Sequence, residues 1–165
     1  QVRAAAVDVE MLAEQGLEPA RARLLARWSR GSPGLALDLA SKSGVELRQM
    51  LVELLSGRAA PLATARALWE LEGDFTGKTP KAVERDRARF ALDLGLDALR
   101  DLHGLDAGAD AERAAHGDLA AQLPRAALGR TIETLLGLRH DVDLNLDPPA
   151  LLDSACSALA ARAAR

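Results

Sequence analysis

Residues 79–102, TPKAVERDRARFALDLGLDALRDL, decide the fold. Thr79 can cap a helix whose first turn holds Pro80, where the missing N–H would have no intrahelical partner anyway. Val83, Phe90, Leu94 and Leu102 then mark an apolar pattern of helical spacing, and this is the longest helix the sequence predicts. Composition extends that reading to the whole chain. Of 165 residues, 34 are Ala and 31 Leu, against seven Val, one Ile and no Tyr. Ala and Leu favour helices whereas β-branched and aromatic residues favour strands, so a β-rich fold is nearly excluded. With 48% apolar and 27% charged residues, the chain has the balance of a globular domain and not of a disordered or fibrous one. A chain of this size buries roughly 70% of its unfolded surface, enough to persist without a metal or a disulfide.

Upstream of this stretch the breaks fall at regular places. Residues 4–14 read as a helix, closed by Gly16 and Pro19. From Ala20 to Trp28, the side chains Leu24, Leu25 and Trp28 give a short helix its expected core side. Gly31-Ser32-Pro33-Gly34 is a tight break in which Ser32 can cap a helix starting at Pro33, carrying Leu35, Leu37, Leu39 and Ala40 and ending near Ser41. Gly44 precedes a helix from Val45 to Leu55 with Leu47, Leu51, Leu54 and Leu55 at 3.6-residue spacing. Pro61 opens another that reaches Leu71, and Gly73, Gly77 and Pro80 end the connection. Downstream, residues 103–117 carry three glycines and no clear period, as a loop does. Leu128, Ile132, Leu135, Leu136 and Arg139 then predict one apolar stripe on a helix from Pro124 to Asp143. Pro148-Pro149 starts the last helix, with Leu151, Leu152, Ala155 and Leu159 facing inward. Seven or eight antiparallel helices with short connections are expected, with no repeat of fixed period.

Charge and cysteine content narrow the function classes. The net charge of −3 is distributed as +1 over 1–30, −2 over 31–77, +2 over 78–100 and −4 over 101–165, so no segment is a polyanion-binding arm. The best basic feature is Lys78 with Lys81, Arg85 and Arg89, the last three at i, i+4, i+8. Glu84, Asp86, Asp93 and Asp97 share that helix and offer these arginines partners, which reads as a solvated face; the alternative is a contact with a protein partner or DNA. Cys156 is the one cysteine, cannot form an internal bridge, fits a reducing compartment such as the cytoplasm, and reads as a buried structural thiol. No apolar run approaches the ~20 residues needed to span a bilayer. The chain starts at Gln1 without a Met and runs straight into a helical pattern, so a fragment of a longer protein is expected.

Several constellations have the residue types of a chemical site. His103, Asp106, Asp110, Glu112, His116 and Asp118 are metal-ligand types, yet they sit on a glycine-containing connection, where a polar surface loop is the simpler reading. His140-Asp141, with His103 upstream and Asp147 downstream, is what an all-helical metal-dependent phosphohydrolase would need, but a histidine at a helix C-terminus is also favoured by the macrodipole. Neither G-x-x-x-x-G-K-[ST] nor G-x-G-x-x-G is present, so nucleotide hydrolysis has no phosphate loop here. A helix-turn-helix around Ala40 and Gly44 would present Arg48, Gln49 and Glu53 to base edges, only one of them cationic. No catalytic residue, metal site or cofactor is therefore expected in this chain.

One resemblance organises these pieces. Leu24-Leu25-Ala26-Arg27-Trp28-Ser29-Arg30-Gly31-Ser32-Pro33-Gly34-Leu35-Ala36-Leu37 resembles the end of the lid in delta-prime subunits of the bacterial DNA polymerase III clamp loader, where a helix, a G-[SA]-P-G turn and a second helix form the sensor-2 region of an AAA+ fold. Leu99-Arg100-Asp101-Leu102 is similar to that family's L-R-D-L stretch. Leu128 to Arg139, then Asp143-Leu144-Asn145-Leu146-Asp147-Pro148 and an Ala/Leu-rich helix, resemble its last two collar helices. The likeness runs from Leu24 to Ala161, departing at Leu35, where many relatives are basic, and at Asp143 and Asp147, where relatives often have Asn. It implies an all-α chain in which 1–42 is the end of an AAA+ lid and 43–165 an oligomerising collar, with the zinc module and arginine finger of the AAA+ domain outside the chain. ATP-binding relatives carry an arginine at the position of Gly34, so the resemblance implies no productive ATP contact there. Its implied partners are the other clamp-loader subunits, with the sliding clamp and primed DNA met through the whole complex, and no membrane.

Overall fold

The structure is a computed structural model that describes residues 9, 11–29, 32–102, 125–144 and 146–163. All regular structure among the described residues is α-helical. Residues 11–14 are helical, followed by α1 (Pro19–Trp28), α2 (Pro33–Ser41), α3 (Gly44–Leu55), α4 (Pro61–Glu70), α5 (Pro80–Leu102), α6 (Arg125–Asp143) and α7 (Pro148–Ala163). Five of these seven begin on proline, whose fixed φ suits a first turn and whose missing donor costs nothing there. Glycine closes two helices. At Gly57 (φ +70°), the amide of Gly57 donates to the carbonyl of Leu54 and that of Arg58 to Glu53, and Gly16 (φ +80°) repeats the pattern with Ala13 and Leu12. These paired bonds satisfy carbonyls that the helix end would leave open.

The chain divides into two compact units, one of described residues up to Glu46 with Glu72–Asp74, the other Leu47–Leu71 with Phe75 onward. The division thus falls inside α3, a few residues beyond the break expected after residue 42. In the first unit, Leu12, Ala22, Leu25, Ala26, Ala36 and Leu39 are buried. The core side of α1 is therefore Ala22, Leu25 and Ala26, while Leu24 and Trp28 are only half-buried. On α2, Leu35 and Leu37 are exposed and Leu39 carries the packing. A nine-residue helix resting one face on its neighbour can bury only the residues three apart, here Ala36 and Leu39. Arg21 pairs bidentately with Glu46, its Nη2 donating to Oε2 at 2.9 Å. Burial pushes the Glu46 carboxyl up, but the Arg21 hydrogen bond and charge, with a backbone bond, outweigh it and hold the group below its ordinary value.

In the second unit α5 is buried on most of its circumference. Ala88, Phe90, Ala91, Leu92, Leu94, Leu96, Ala98 and Leu99 are all in the core, and α4, α6 and α7 pack against it and, in part, against one another. Residue pairs set the direction of α6. Arg89 meets Asp143, Asp93 meets Arg139, and a Cβ on Gly95 would lie 3.6 Å from Leu135. One number rises as the other falls, so α5 and α6 run antiparallel. From residue 129 onward, the buried residues of α6 are Thr131, Leu135 and Val142, whereas Leu136 is 48% exposed and Arg139 is held at the flank by Asp93 and Asp143. Of the stripe expected through Leu128, Ile132, Leu135, Leu136 and Arg139, Leu135 enters the groove left by Gly95, while Ile132 and Arg139 are half-buried and Leu136 is turned outward. Leu51, Leu68, Leu92, Gly95, Leu135 and Cys156 are among the residues lining an apolar cavity of about 10 Å³, room for one water at most.

Candidate interaction surface

The turn before α2 is built as the residue types require, with Gly31 outside the described residues. Ser32 is extended (φ −97°, ψ 107°), its hydroxyl accepts from the Leu35 amide at 3.4 Å, and Pro33 occupies the first turn. Gly34 follows on the exposed side, and a Cβ there would meet nothing within 4 Å. No charge is presented from this position, and nothing in the local packing demands glycine.

The basic stripe is divided by its surroundings. Lys81 is exposed, Arg85 is half-buried, and Arg89 is paired with Asp143. Two of this helix's ion pairs cross to α6: Asp143 is shared by Arg89 and Arg139, and Arg139 Nε also donates to Asp93 at 3.0 Å. Within α5, Arg100 pairs with Asp97 at 3.2 Å, and Asp86 accepts from the Thr76 amide at 3.1 Å. The Arg89 hydrogen bond, opposed by slight burial and aided by the charges of Arg89 and Arg139, holds Asp143 below the usual carboxylate range. Such a ladder fixes helix register more than it supplies a cationic face.

The other candidates also take structural positions. Arg48 is only 5% exposed and pairs with Asp101, so it does not reach a surface where base edges could be read, while Gln49 is exposed and donates to Glu53 at 3.3 Å. His140 is exposed in the last turn of α6. Asp147 caps α7 by accepting from the Ala150 amide at 3.3 Å. Among the described residues no three His, Cys, Asp or Glu side chains converge as a metal site would require. His103, Asp106, Asp110, Glu112, His116 and Asp118 lie outside the described residues. Cys156 is buried, and burial with the nearby Asp153 charge pushes its thiol up to about 12, far from a nucleophile's range. No helix among the described residues is long and apolar enough to cross a membrane.

Sequence reasoning missed Arg87. Its Nη1 donates to the carbonyls of Trp69, at 2.6 Å, and Leu71, and its guanidinium lies 4.5 Å from the centre of the Phe75 ring. Phe75 in turn meets Phe90 edge-on at 6.0 Å. Arg87 thus caps the C-terminal end of α4 with a positive charge where the helix dipole is negative. The only signal in the sequence was the absence of a glycine stop after Glu70, which left that helix end to be closed by a distant donor.

Several large aliphatic side chains remain on the surface: Leu35, Leu37, Leu62, Leu136, Leu144 and Leu146. Leu144 is 58% exposed, and with Leu146 it lies on the link between α6 and α7. No protein-family model, curated protein or solved structure matches this chain.

Proposed function

We propose that this chain is the non-catalytic assembly region of a delta-prime-like clamp-loader subunit, acting in the cytoplasm. Its collar part would join neighbouring subunits in a hetero-oligomeric ring, so that the complex can open a sliding clamp and place it on primed DNA. The observation that carries this reading is the pair of exposed leucines, Leu144 and Leu146, on the very link whose sequence resembles the family's collar. Aliphatic side chains so placed are suited to burial against another protein, because they gain nothing from water. The division of charge agrees with it. Ionisable side chains such as Arg48, Arg87, Arg89, Arg139 and Asp143 are engaged in holding helices together. Gly34, exposed and uncharged, fits a subunit that does not clasp ATP through its lid.

A paired substitution tests this. Leu144→Glu with Leu146→Glu is expected to leave helicity unchanged and to cut incorporation into a reconstituted clamp loader about tenfold or more, as removal of a buried interface anchor does. Normal incorporation of that variant would refute the reading.

A further inference from the structure

The outward sides of α5 and α6 are made of different materials. On α5 the stripe Arg89, Asp93, Asp97 and Arg100 is charged and ion-paired. On α6, Gly129, Glu133, Leu136, Gly137 and His140 are exposed and follow i, i+4, i+7, i+8 and i+11, with exposed Arg130 and Thr134 beside them, and Leu144 follows on this side in the turn that closes the helix. Neither glycine is needed by the packing of the described residues. A Cβ on Gly129 or Gly137 would meet nothing within 4 Å, and neither has a positive φ. Glycine inside a helix weakens it, so two of them on an exposed face with two leucines suit a surface that another helix approaches closely.

We propose that this face is covered by a second copy of the chain, α6 against α6, antiparallel about a two-fold axis between residues 136 and 137. In that register each residue i faces residue 273 − i of the other copy. Gly129 then faces Leu144, Glu133 faces His140, and Leu136 faces Gly137, each relation occurring twice as a two-fold interface requires. Every leucine meets a glycine, which leaves it room, and every carboxylate meets an imidazole, whose N–H donates to it in either protonation state. A parallel arrangement would set Glu133 against Glu133 and leave the glycines facing each other. The match of charge and of size in only the antiparallel register is what assigns the occupant. This pairing does not rest on the clamp-loader reading; both use Leu144, so the self-paired chain and the chain docked on a different subunit exclude each other.

Sedimentation velocity on the chain at up to about 100 μM is the test. A dimer fraction that grows with concentration is expected. Leu136→Glu, an exposed change that circular dichroism should find fully helical, is expected to weaken association about tenfold or more. Glu133→Lys alone should weaken it, and adding His140→Glu should restore it. The two positions are too far apart on one helix, about 10 Å, to compensate within a chain. A chain that stays monomeric overturns the proposal, as does a dimer indifferent to Leu136→Glu. Failure of the double variant to recover overturns the antiparallel register. Hydrogen-exchange protection of α6 that arises only with a different protein assigns the face to another occupant and overturns it too.

Discussion

Gly95 and Gly44 are both glycines beside leucines, yet their substitution should act in opposite directions. A Cβ on Gly95 would make ordinary contacts at 3.6 Å with Leu135 and 3.9 Å with Leu51, and would line the small apolar cavity. Gly95→Ala is expected to stabilise the protein by about 1 kcal/mol, through helix propensity, and to raise Tm by about 2–4 °C in a thermal melt. At Gly44 a Cβ would lie 2.8 Å from the Leu39 carbonyl oxygen, and the positive φ of this turn belongs to Ser43 (52°) instead. Close approach, not backbone twist, is why glycine is needed there, and Gly44→Ala should cost about 1–3 kcal/mol in a denaturant titration. The Arg48–Asp101 pair follows different physics. Asp101→Leu alone removes the carboxylate paired with a buried guanidinium and should cost up to about 3–5 kcal/mol, whereas Arg48→Met with Asp101→Leu should return most of it. If the double variant is no better than the single one, the pair is not the source of the cost.

At the scale of elements, the sharpest test is the rotation of α6. Leu135 is buried and Leu136 is 48% exposed, so Leu135→Ala should destabilise the chain by about 2–5 kcal/mol and Leu136→Ala by less than about 0.5 in dilute monomer. Equal effects would restore the face that sequence spacing suggests. The two adjacent leucines explain why spacing could not choose: Ile132, Leu136 and Arg139 form as good a helical series as Thr131, Leu135 and Val142. What chooses is the partner, through the groove at Gly95 and the anchoring of Arg139 by Asp93. Helix existence and limits were legible because proline starts and glycine stops act locally, as at Pro33, Pro80 and Gly57. Cross-helix ion pairs were not, since Arg89 has acids within its own helix and only the fold brings Asp143 to it. For the same reason Arg87 gave no sign of capping α4, sixteen and eighteen residues away. Of the candidate surface, the turn at Ser32–Gly34 could be read directly, while exposed Leu136 of α6 could not be told from core until packing was known.

For the whole molecule, pH should act through carboxylates held by arginines. Glu46 and Asp143 both lie below their ordinary pKa in the folded state, so each contributes stability that is present above the unfolded value and lost as pH falls through the folded one. Stability should thus be flat from about pH 6 to 8 and decline below about pH 4.5, and Asp143→Asn should reduce the steepness of that decline. An acid titration of the variant that superimposes on the original would remove Asp143 from the account. Assembly is the larger question, because on the proposed reading it would give the exposed leucines a purpose that internal packing does not. The most direct measurement is native mass spectrometry of the chain mixed with purified clamp-loader subunits. The expected result is a hetero-oligomer containing the chain, which a form lacking residues 78–165 does not enter. Correctly folded partners that assemble among themselves and leave the chain out would contradict the account.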